Sequence, residues 1–130
     1  MPVYQCSISA SRVDDAKRQQ IASEITRIHC ESTGAPPDFA HVLFVDAAES
    51  VGPGASVLGT IRAGRPDALK ARMAAAIAEA VAKTIGEEPQ LVRVRLLDVP
   101  ASWVMEGGAV LPEPGEEADW LARHGQTQAT

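Results

Sequence analysis

The sequence has few cysteines and histidines, and neither set has the spacing of a known site. Cys6 and Cys30 stand alone, without a CxxC motif, so we expect reduced, buried thiols and no disulfide. The three histidines, at positions 29, 41 and 124, have no Cys or carboxylate at metal-ligand spacing. These absences argue against a disulfide-stapled fold and against a metal site.

A basic cluster and a long apolar run are missing too. Asp and Glu number 17 against 12 Lys and Arg, a net charge of -5, which argues against a nucleic-acid partner. No apolar run is long enough to span a bilayer, so we expect no membrane association. The opening MPVYQCSIS lacks the basic start of a signal peptide, which favours a cytoplasmic protein. With 45% apolar residues among 130, we expect one globular domain.

What the sequence does contain is an internal repeat. SISASRVDDAK at 7–17 resembles TIRAGRPDALK at 60–70, and VLFVD at 42–46 matches VRLLD at 94–98. Each copy has an alternating segment, then a stretch with helical periodicity, then a second alternating segment. The repeat predicts an α/β (α+β) fold made of a duplicated β-α-β unit. Its four-stranded sheet should be mostly parallel, with two helices on one face.

Local signals set the boundaries of these elements. The first strand is predicted over 3–9, and Ser11 with Asp14 resembles a capping box that starts the first helix. Isoleucines at 21, 25 and 28 give that helix an apolar face. The second helix is expected to follow Pro66 and to end at Gly86.

We expect a single domain over residues 1–121, with halves at about 2–47 and 56–99. A Gly- and Pro-rich packing segment follows at 100–121, and a disordered tail is expected at 122–130. The segment cannot form its own core, so its large apolar residues need another surface. That surface is expected to be a second subunit, which predicts a homo-oligomer; the residues are Trp103, Val104, Leu111 and Trp120.

Five residues could take part in catalysis or ligand binding. Removal of Met1 would make Pro2 a secondary amine, and burial or nearby cations would hold its pKa below the usual range of about 7.7–8.0. Arg62 and Arg65 stand where a strand ends and a helix begins, which suits a carboxylate ligand. The alternative is a solvated turn in which Arg65 pairs with an acid. Without other evidence, His29 is expected to be a hydrogen-bonded residue at the border of the apolar helix face, and Glu106 a solvated residue of a tight turn.

Together these positions resemble the cis-3-chloroacrylic acid dehalogenase group of the tautomerase superfamily. The resemblance extends to about residue 121 and implies a duplicated β-α-β fold, a homotrimer and an enzyme without a cofactor. It rests on the opening Met-Pro-Val-Tyr, His29, TIRAGR at 60–65, Asp98-Val-Pro-Ala101, Glu106, and Leu111-Pro-Glu-Pro-Gly-Glu-Glu with Trp120.

The resemblance also implies roles for single residues. Pro2 would be the catalytic amine, Arg62 and Arg65 would bind the substrate carboxylate, and His29 would assist them. Glu106 would be the acid that activates water in dehalogenating members.

Two features depart from the group. Arg95 stands where the group has a Tyr that works with the Glu, and the connector at 47–56 is several residues shorter. An Arg accepts no hydrogen bond, and beside Glu106 it would make that carboxylate a poorer base. Arg95 could instead hold the second carboxylate of a dicarboxylate.

The sequence therefore favours a keto–enol tautomerase of small 2-oxo or enol carboxylic acids. The first alternative is a hydratase or dehalogenase of 3-substituted acrylates, with Pro2 as acid and Glu106 activating water. The second alternative is a non-catalytic trimeric protein that binds a small ligand.

Overall fold

The computed structural model describes residues 1–47, 54–112 and 116–128, without the side chains of residues 117 and 124–128. Its main elements alternate as the repeat predicts. They are, in order, β1 (Val3–Ile8), α1 (Asp15–Thr33), β2 (His41–Asp46), β3 (Ala55–Arg62), α2 (Asp67–Ile85), β4 (Val92–Val99), the short strands β5 (Met105–Glu106) and β6 (Ala109–Val110), and α3 (Glu117–Gln128).

The four long strands form one mixed sheet in the order β2-β1-β3-β4. Each half contributes a parallel pair, β1 with β2 and β3 with β4, and the halves join through the antiparallel pair β1–β3. The predicted mostly parallel sheet is confirmed. Because Val3 pairs with Thr60, the start of β1 lies beside the end of β3. This arrangement brings the N-terminus next to the arginines that follow Ile61.

The two long helices cover one face of the sheet and form the core with it. Both apolar faces predicted from periodicity are buried, with Ile21, Ile25 and Ile28 on α1 and residues such as Ile77 on α2. Tyr4, Cys6 and Ile8 of β1 point into the same core. Both cysteines are free thiols, and burial raises the pKa of Cys6 to about 12.

The start of α1 differs from the prediction. Asp14 is itself the N-cap, and its carboxylate accepts a hydrogen bond from the backbone N–H of Lys17 at 2.8 Å. Ser11 lies outside the helix, in a 3-10 turn over Ala10–Arg12. The predicted end of α2 at Gly86 is confirmed, and this residue adopts a φ of 75° where a side chain would be strained. α1 ends in the same way at Gly34, with a φ of 76°.

The opposite face of the sheet carries exposed apolar side chains. Leu43 and Val45 on β2, Leu58 on β3 and Leu97 on β4 are each more than a third exposed. The register aligns them on the side away from the helices. Apolar surface spread over several strands is typical of a face that another subunit covers.

The C-terminal segment differs from the prediction in two respects. Trp120 is only 4% exposed and donates its indole N–H to the Val110 carbonyl at 2.7 Å, so it packs on its own chain and needs no partner. Residues 122–128, for which the sequence predicts disorder, are helical, because α3 continues beyond the Trp120 anchor. Trp103 is 77% exposed, in line with the prediction that another surface covers it.

Candidate active site

The candidate site lies where the N-terminus meets the end of β3. Met1 and Pro2 are both buried, and the Pro2 carbonyl accepts a hydrogen bond from the backbone N–H of His41 at 3.0 Å. The Met1 ammonium forms an ion pair with Glu106. Since three backbone bonds separate the nitrogens of Met1 and Pro2, the Glu106 carboxylate lies within about 7 Å of the Pro2 nitrogen.

A tight hairpin holds Glu106 at this position. Glu106 ends β5, pairs with Ala109 of β6, and precedes Gly107 and Gly108. Both glycines have positive φ, 59° and 81°, as the two central residues of a type I′ turn require. The turn reverses the direction of the chain directly after Glu106. The Glu106 carboxylate contacts the N-terminus, from which it is 105 positions away in the sequence.

The two predicted arginines are held by backbone carbonyls. Arg62 is 7% exposed and donates to the Pro112 carbonyl at 2.7 Å. Arg65 is half-buried and donates to the Arg62 carbonyl at 2.8 Å. The following helix, α2, starts without a side-chain cap on its first N–H groups. Two fixed guanidiniums beside an uncapped helix start form an environment that favours a carboxylate.

His29 is the buried base of the site, and its partner is Tyr4. The Tyr4 hydroxyl and His29 Nδ1 are 2.8 Å apart, and the rings meet edge to face. Burial and, to a smaller extent, the positive charges of Arg65, Arg62 and the N-terminus together lower the pKa of His29 to about 4. His29 is therefore neutral at pH 7 and can form hydrogen bonds without a charge of its own.

Gly59 makes the Tyr4–His29 contact possible. A Cβ atom at Gly59 would lie 2.5 Å from the Tyr4 ring and 2.9 Å from Leu96, closer than real contacts allow. The absent side chain lets the Tyr4 ring lie across β3 and reach α1. Burial in this position also raises the pKa of the Tyr4 hydroxyl, which stays protonated.

Arg95 lies apart from the other predicted residues in the single chain. It is exposed in the middle of β4, opposite Leu58, on the open face of the sheet. Val99, at the site end of β4, is four residues further along, or about 13 Å at the rise of a strand. Contact between Arg95 and Glu106 therefore requires a neighbouring subunit.

The two halves of the repeat use their helix-start arginines differently. In the first half, Arg12 donates to the Ile85 carbonyl and to the Glu87 carboxylate at 2.6 Å. Glu87 follows the glycine that ends α2, and at the matching position after α1 the chain has Ala35. Arg12 of the first half is therefore paired with a carboxylate that follows the helix of the second half, whereas Ala35 holds the matching position after the helix of the first half. Arg65 instead donates to the Arg62 carbonyl.

Sequence reasoning missed two parts of the site. The first part is Tyr4, for which no role is predicted from the sequence. The alternation of β1 places Tyr4 on the inward-facing side, and this pattern is the signal that predicts its burial. An apolar wall next to Met1 was also missed, because its residues come from three separate segments; it contains Ala35, Phe39, Leu111, Trp120 and Leu121. Among the described residues, no group of three His, Cys, Asp or Glu side chains could hold a metal ion. None of the described helices has the length and apolarity needed to cross a membrane.

Solved structures with the same fold include dehalogenase-family and tautomerase proteins. N1, a member of the cis-3-chloroacrylic acid dehalogenase family, is 28% identical over 97% of this chain and 94% of its own, with a TM-score of 0.87. Native Ps01740 is 36% identical over 80% of this chain and 99% of its own, with a TM-score of 0.74. A symmetric trimer of fused 4-OT is 23% identical over 84% and 94%, with a TM-score of 0.75, and supports the fold alone.

No family model and no curated protein matches the sequence. The duplicated β-α-β fold and the N-terminal site nonetheless define the class together with these structures. The chain belongs to the tautomerase superfamily, in its cis-3-chloroacrylic acid dehalogenase-like group. Of the connector at 47–56, whose shortness distinguishes the sequence, residues 48–53 lie outside the described residues.

Proposed function

We propose that the protein is a cofactor-independent keto–enol tautomerase of small 2-oxo or enol carboxylic acids, with the Pro2 amine as its base. The observation that carries the proposal is the convergence of the N-terminus, Glu106 and Arg62 on one cavity. His29 is neutral and lies near Arg65, whose positive charge contributes to the lowered pKa of His29.

The proposed reaction needs one group that moves a proton between oxygen and carbon. With Met1 removed, neutral Pro2 takes the proton of the enol hydroxyl, and the resulting ammonium returns a proton to C3 of the acid. The product is the 2-oxo form, and the amine is regenerated. Glu106, within about 7 Å of the Pro2 nitrogen, stabilises the ammonium between the two transfers.

The arginines hold the substrate and the charge that develops on it. Their guanidiniums bind the carboxylate and stabilise the enolate oxygen in a partly buried site, where hydrogen bonds to ions are strong. Neutral His29 can donate or accept one hydrogen bond without adding a competing charge. Its role is to assist the arginines in orienting the acid.

A hydratase or dehalogenase of 3-substituted acrylates is the alternative that the position of Glu106 favours. A carboxylate next to the Pro2 amine promotes its protonated form, which is the acid that this chemistry needs. Glu106 would then also have to activate water. We expect that activity to be low, because Arg95 replaces the Tyr that works with the Glu in this group.

We further propose that the protein acts as a homotrimer in the cytoplasm. The exposed apolar face of the sheet and the exposed Trp103 support a subunit interface. The trimeric fused 4-OT structure has the same fold. Light scattering of the purified protein should give three times the chain mass of 13.7 kDa, and a monodisperse monomer would contradict this assembly.

Enol turnover separates the catalytic proposals from a non-catalytic trimer that binds small ligands. The wild-type chain is expected to accelerate ketonisation of an enol acid, and Pro2→Ala should lose most of that rate while keeping the fold. Equal rates for the wild type, the variant and buffer would support the non-catalytic alternative. In a parallel assay, release of halide from a 3-haloacrylate tests the dehalogenase alternative.

A further inference from the structure

An apolar cavity next to Met1 suggests which acids the proposed enzyme prefers. Its polar lining comes from Arg62 and Glu106 at one side. Its volume is about 20 Å³, about the room that one water molecule needs. The rest of its wall is Met1, Ala35, Phe39, Leu111, Pro112, Trp120 and Leu121.

Met1 occupies space in this site that the mature enzyme would leave open. Met1 is 9% exposed, and its ammonium contacts Glu106. It also lines a second, more open cavity that includes Thr60, Val99 and Glu106. Because Met1 and Glu106 line both cavities, removal of Met1 is expected to join them. The joined space extends from the charged groups to the apolar wall.

The wall is fixed in place on both sides. Trp120 is 4% exposed and its indole N–H is bonded to the Val110 carbonyl at 2.7 Å. Pro112 is held by the hydrogen bond from Arg62 at 2.7 Å, so the wall and the anion site are connected directly. Ala35, 9% exposed, adds a small apolar surface. A rigid apolar wall beside a fixed guanidinium suits a ligand that is charged at one end and apolar at the other.

We propose that the mature site is specific for 2-oxo monocarboxylic acids with an unbranched apolar side chain about as long as that of methionine. The carboxylate binds at Arg62 and Arg65, and the side chain takes the place of Met1 against Phe39, Leu111 and Trp120. This inference rests on the proposed function and narrows its substrate class. Shorter acids leave the apolar wall in contact with water, and dicarboxylates bring a second charge against it, which is unfavourable without a partner.

The test is the exchange of C3 hydrogens for deuterium in D₂O, followed by proton NMR. The enzyme is the chain that begins at Pro2, verified by intact mass. The substrates are 2-oxobutanoate, 2-oxopentanoate, 2-oxohexanoate, 4-methylthio-2-oxobutanoate and 2-oxoglutarate, each corrected for its exchange in buffer. Each methylene moved from water to the wall should raise kcat/KM about fourfold, or about 15-fold from the four-carbon to the six-carbon acid. The methylthio acid should match the six-carbon acid, and 2-oxoglutarate should be the poorest substrate.

Two wall variants and one control show where the preference arises. Phe39→Ala and Leu111→Ala should each reduce the gain per methylene, whereas Leu91→Ala should keep it. Leu91 is a suitable control because it is a similarly apolar, 42% exposed residue at the other end of β4. A gain per methylene that both wall variants retain in full would overturn the assignment of the wall.

The outcomes separate this inference from the proposed function. Equal kcat/KM for all the monocarboxylates, or a preference for 2-oxoglutarate, would overturn the inference and leave the tautomerase proposal intact. No exchange above buffer with any acid would overturn both.

Discussion

The Tyr4 hydroxyl and His29 Nδ1 lie 2.8 Å apart in the core, and this pair joins the first strand to the first helix beneath the site. Because His29 is 1% exposed and near two arginines, its neutral form is the one the fold stabilises. The two residues are 25 positions apart in sequence, and Gly59 on a third element makes room for their contact.

The first prediction concerns stability against pH. An unfolded His titrates near 6.5 and His29 in the fold near 4, so the unfolded chain binds the proton first as the pH falls. Stability contributed by neutral His29 is complete above pH 6.5 and declines as the pH falls towards 4, by about 3 kcal/mol. Urea unfolding of the wild type and His29→Gln at several pH values measures it. A difference between the two proteins that stays constant from pH 7 to 4 would contradict the assignment.

The second prediction concerns Tyr4, the only tyrosine in the chain. Tyr4→Phe keeps the ring and leaves His29 Nδ1 buried without this partner, so unfolding free energy should fall by about 1–3 kcal/mol. His29 should then be less firmly oriented, and turnover should fall more than substrate affinity. Urea unfolding and a comparison of kcat with KM give both readouts. Unchanged stability together with unchanged kcat would show that the hydrogen bond contributes nothing.

The third prediction concerns the anion site. Arg65→Ala should raise KM for a 2-oxo acid, with a loss of about 1.5–3 kcal/mol in binding from charge-assisted hydrogen bonds. Arg62→Ala should do the same and also lower stability, because Arg62 is 7% exposed. The position of Arg62 between a strand and a helix predicts partial exposure, and the structure corrects that prediction. Arg12→Ala is the matched control, since Arg12 pairs with Glu87 at the other end of the repeat.

Steady-state kinetics and urea unfolding of the three arginine variants distinguish an anion site from a solvated turn. We expect KM to change in the two site variants and to stay at the wild-type value in Arg12→Ala. An Arg65→Ala enzyme with normal KM would favour the solvated-turn alternative for that residue.

The fourth prediction concerns Arg95, which we infer to suppress hydration chemistry. Arg95→Tyr should raise the ratio of dehalogenase or hydratase activity to tautomerase activity, because a Tyr hydroxyl can orient water while leaving Glu106 a better base. The structure adds a condition: Arg95 lies in the middle of β4, away from Glu106 of its own chain, so the predicted effect requires Arg95 of a neighbouring subunit. Arg93→Tyr, two residues away on the same face, is the control. If both variants give the wild-type ratio, Arg95 does not suppress this reaction.

Periodicity predicted those parts of the fold that depend on the sequence of a single helix or strand. The isoleucine stripe of α1, the paired halves and the end of α2 at Gly86 all follow from local signals in the sequence. Trp120 could not be placed in the same way, because its acceptor is the Val110 carbonyl, and backbone acceptors have no signature in the sequence. Its large apolar ring was therefore assigned to a subunit interface.

The repeat predicted the equivalent places of Arg12 and Arg65 but not their different surroundings. Arg12 pairs with Glu87, just beyond the end of the helix in the opposite half, whereas Arg65 donates to the Arg62 carbonyl. Likewise, the ion pair of Glu106 with the N-terminus depends on how a two-glycine hairpin turns the chain. Such contacts between distant segments are decided by the packing of the whole sheet.

The most direct test of the account is whether exchange at C3 depends on a free Pro2 amine. Two chains are compared in the deuterium-exchange assay with a 2-oxo acid, one beginning at Pro2 and one with a single glycine added before it, both verified by intact mass. The added residue converts the Pro2 amine to an amide, which has no basic lone pair. We predict exchange with the first chain and a rate no higher than buffer with the second. Equal rates would contradict a catalytic role for Pro2.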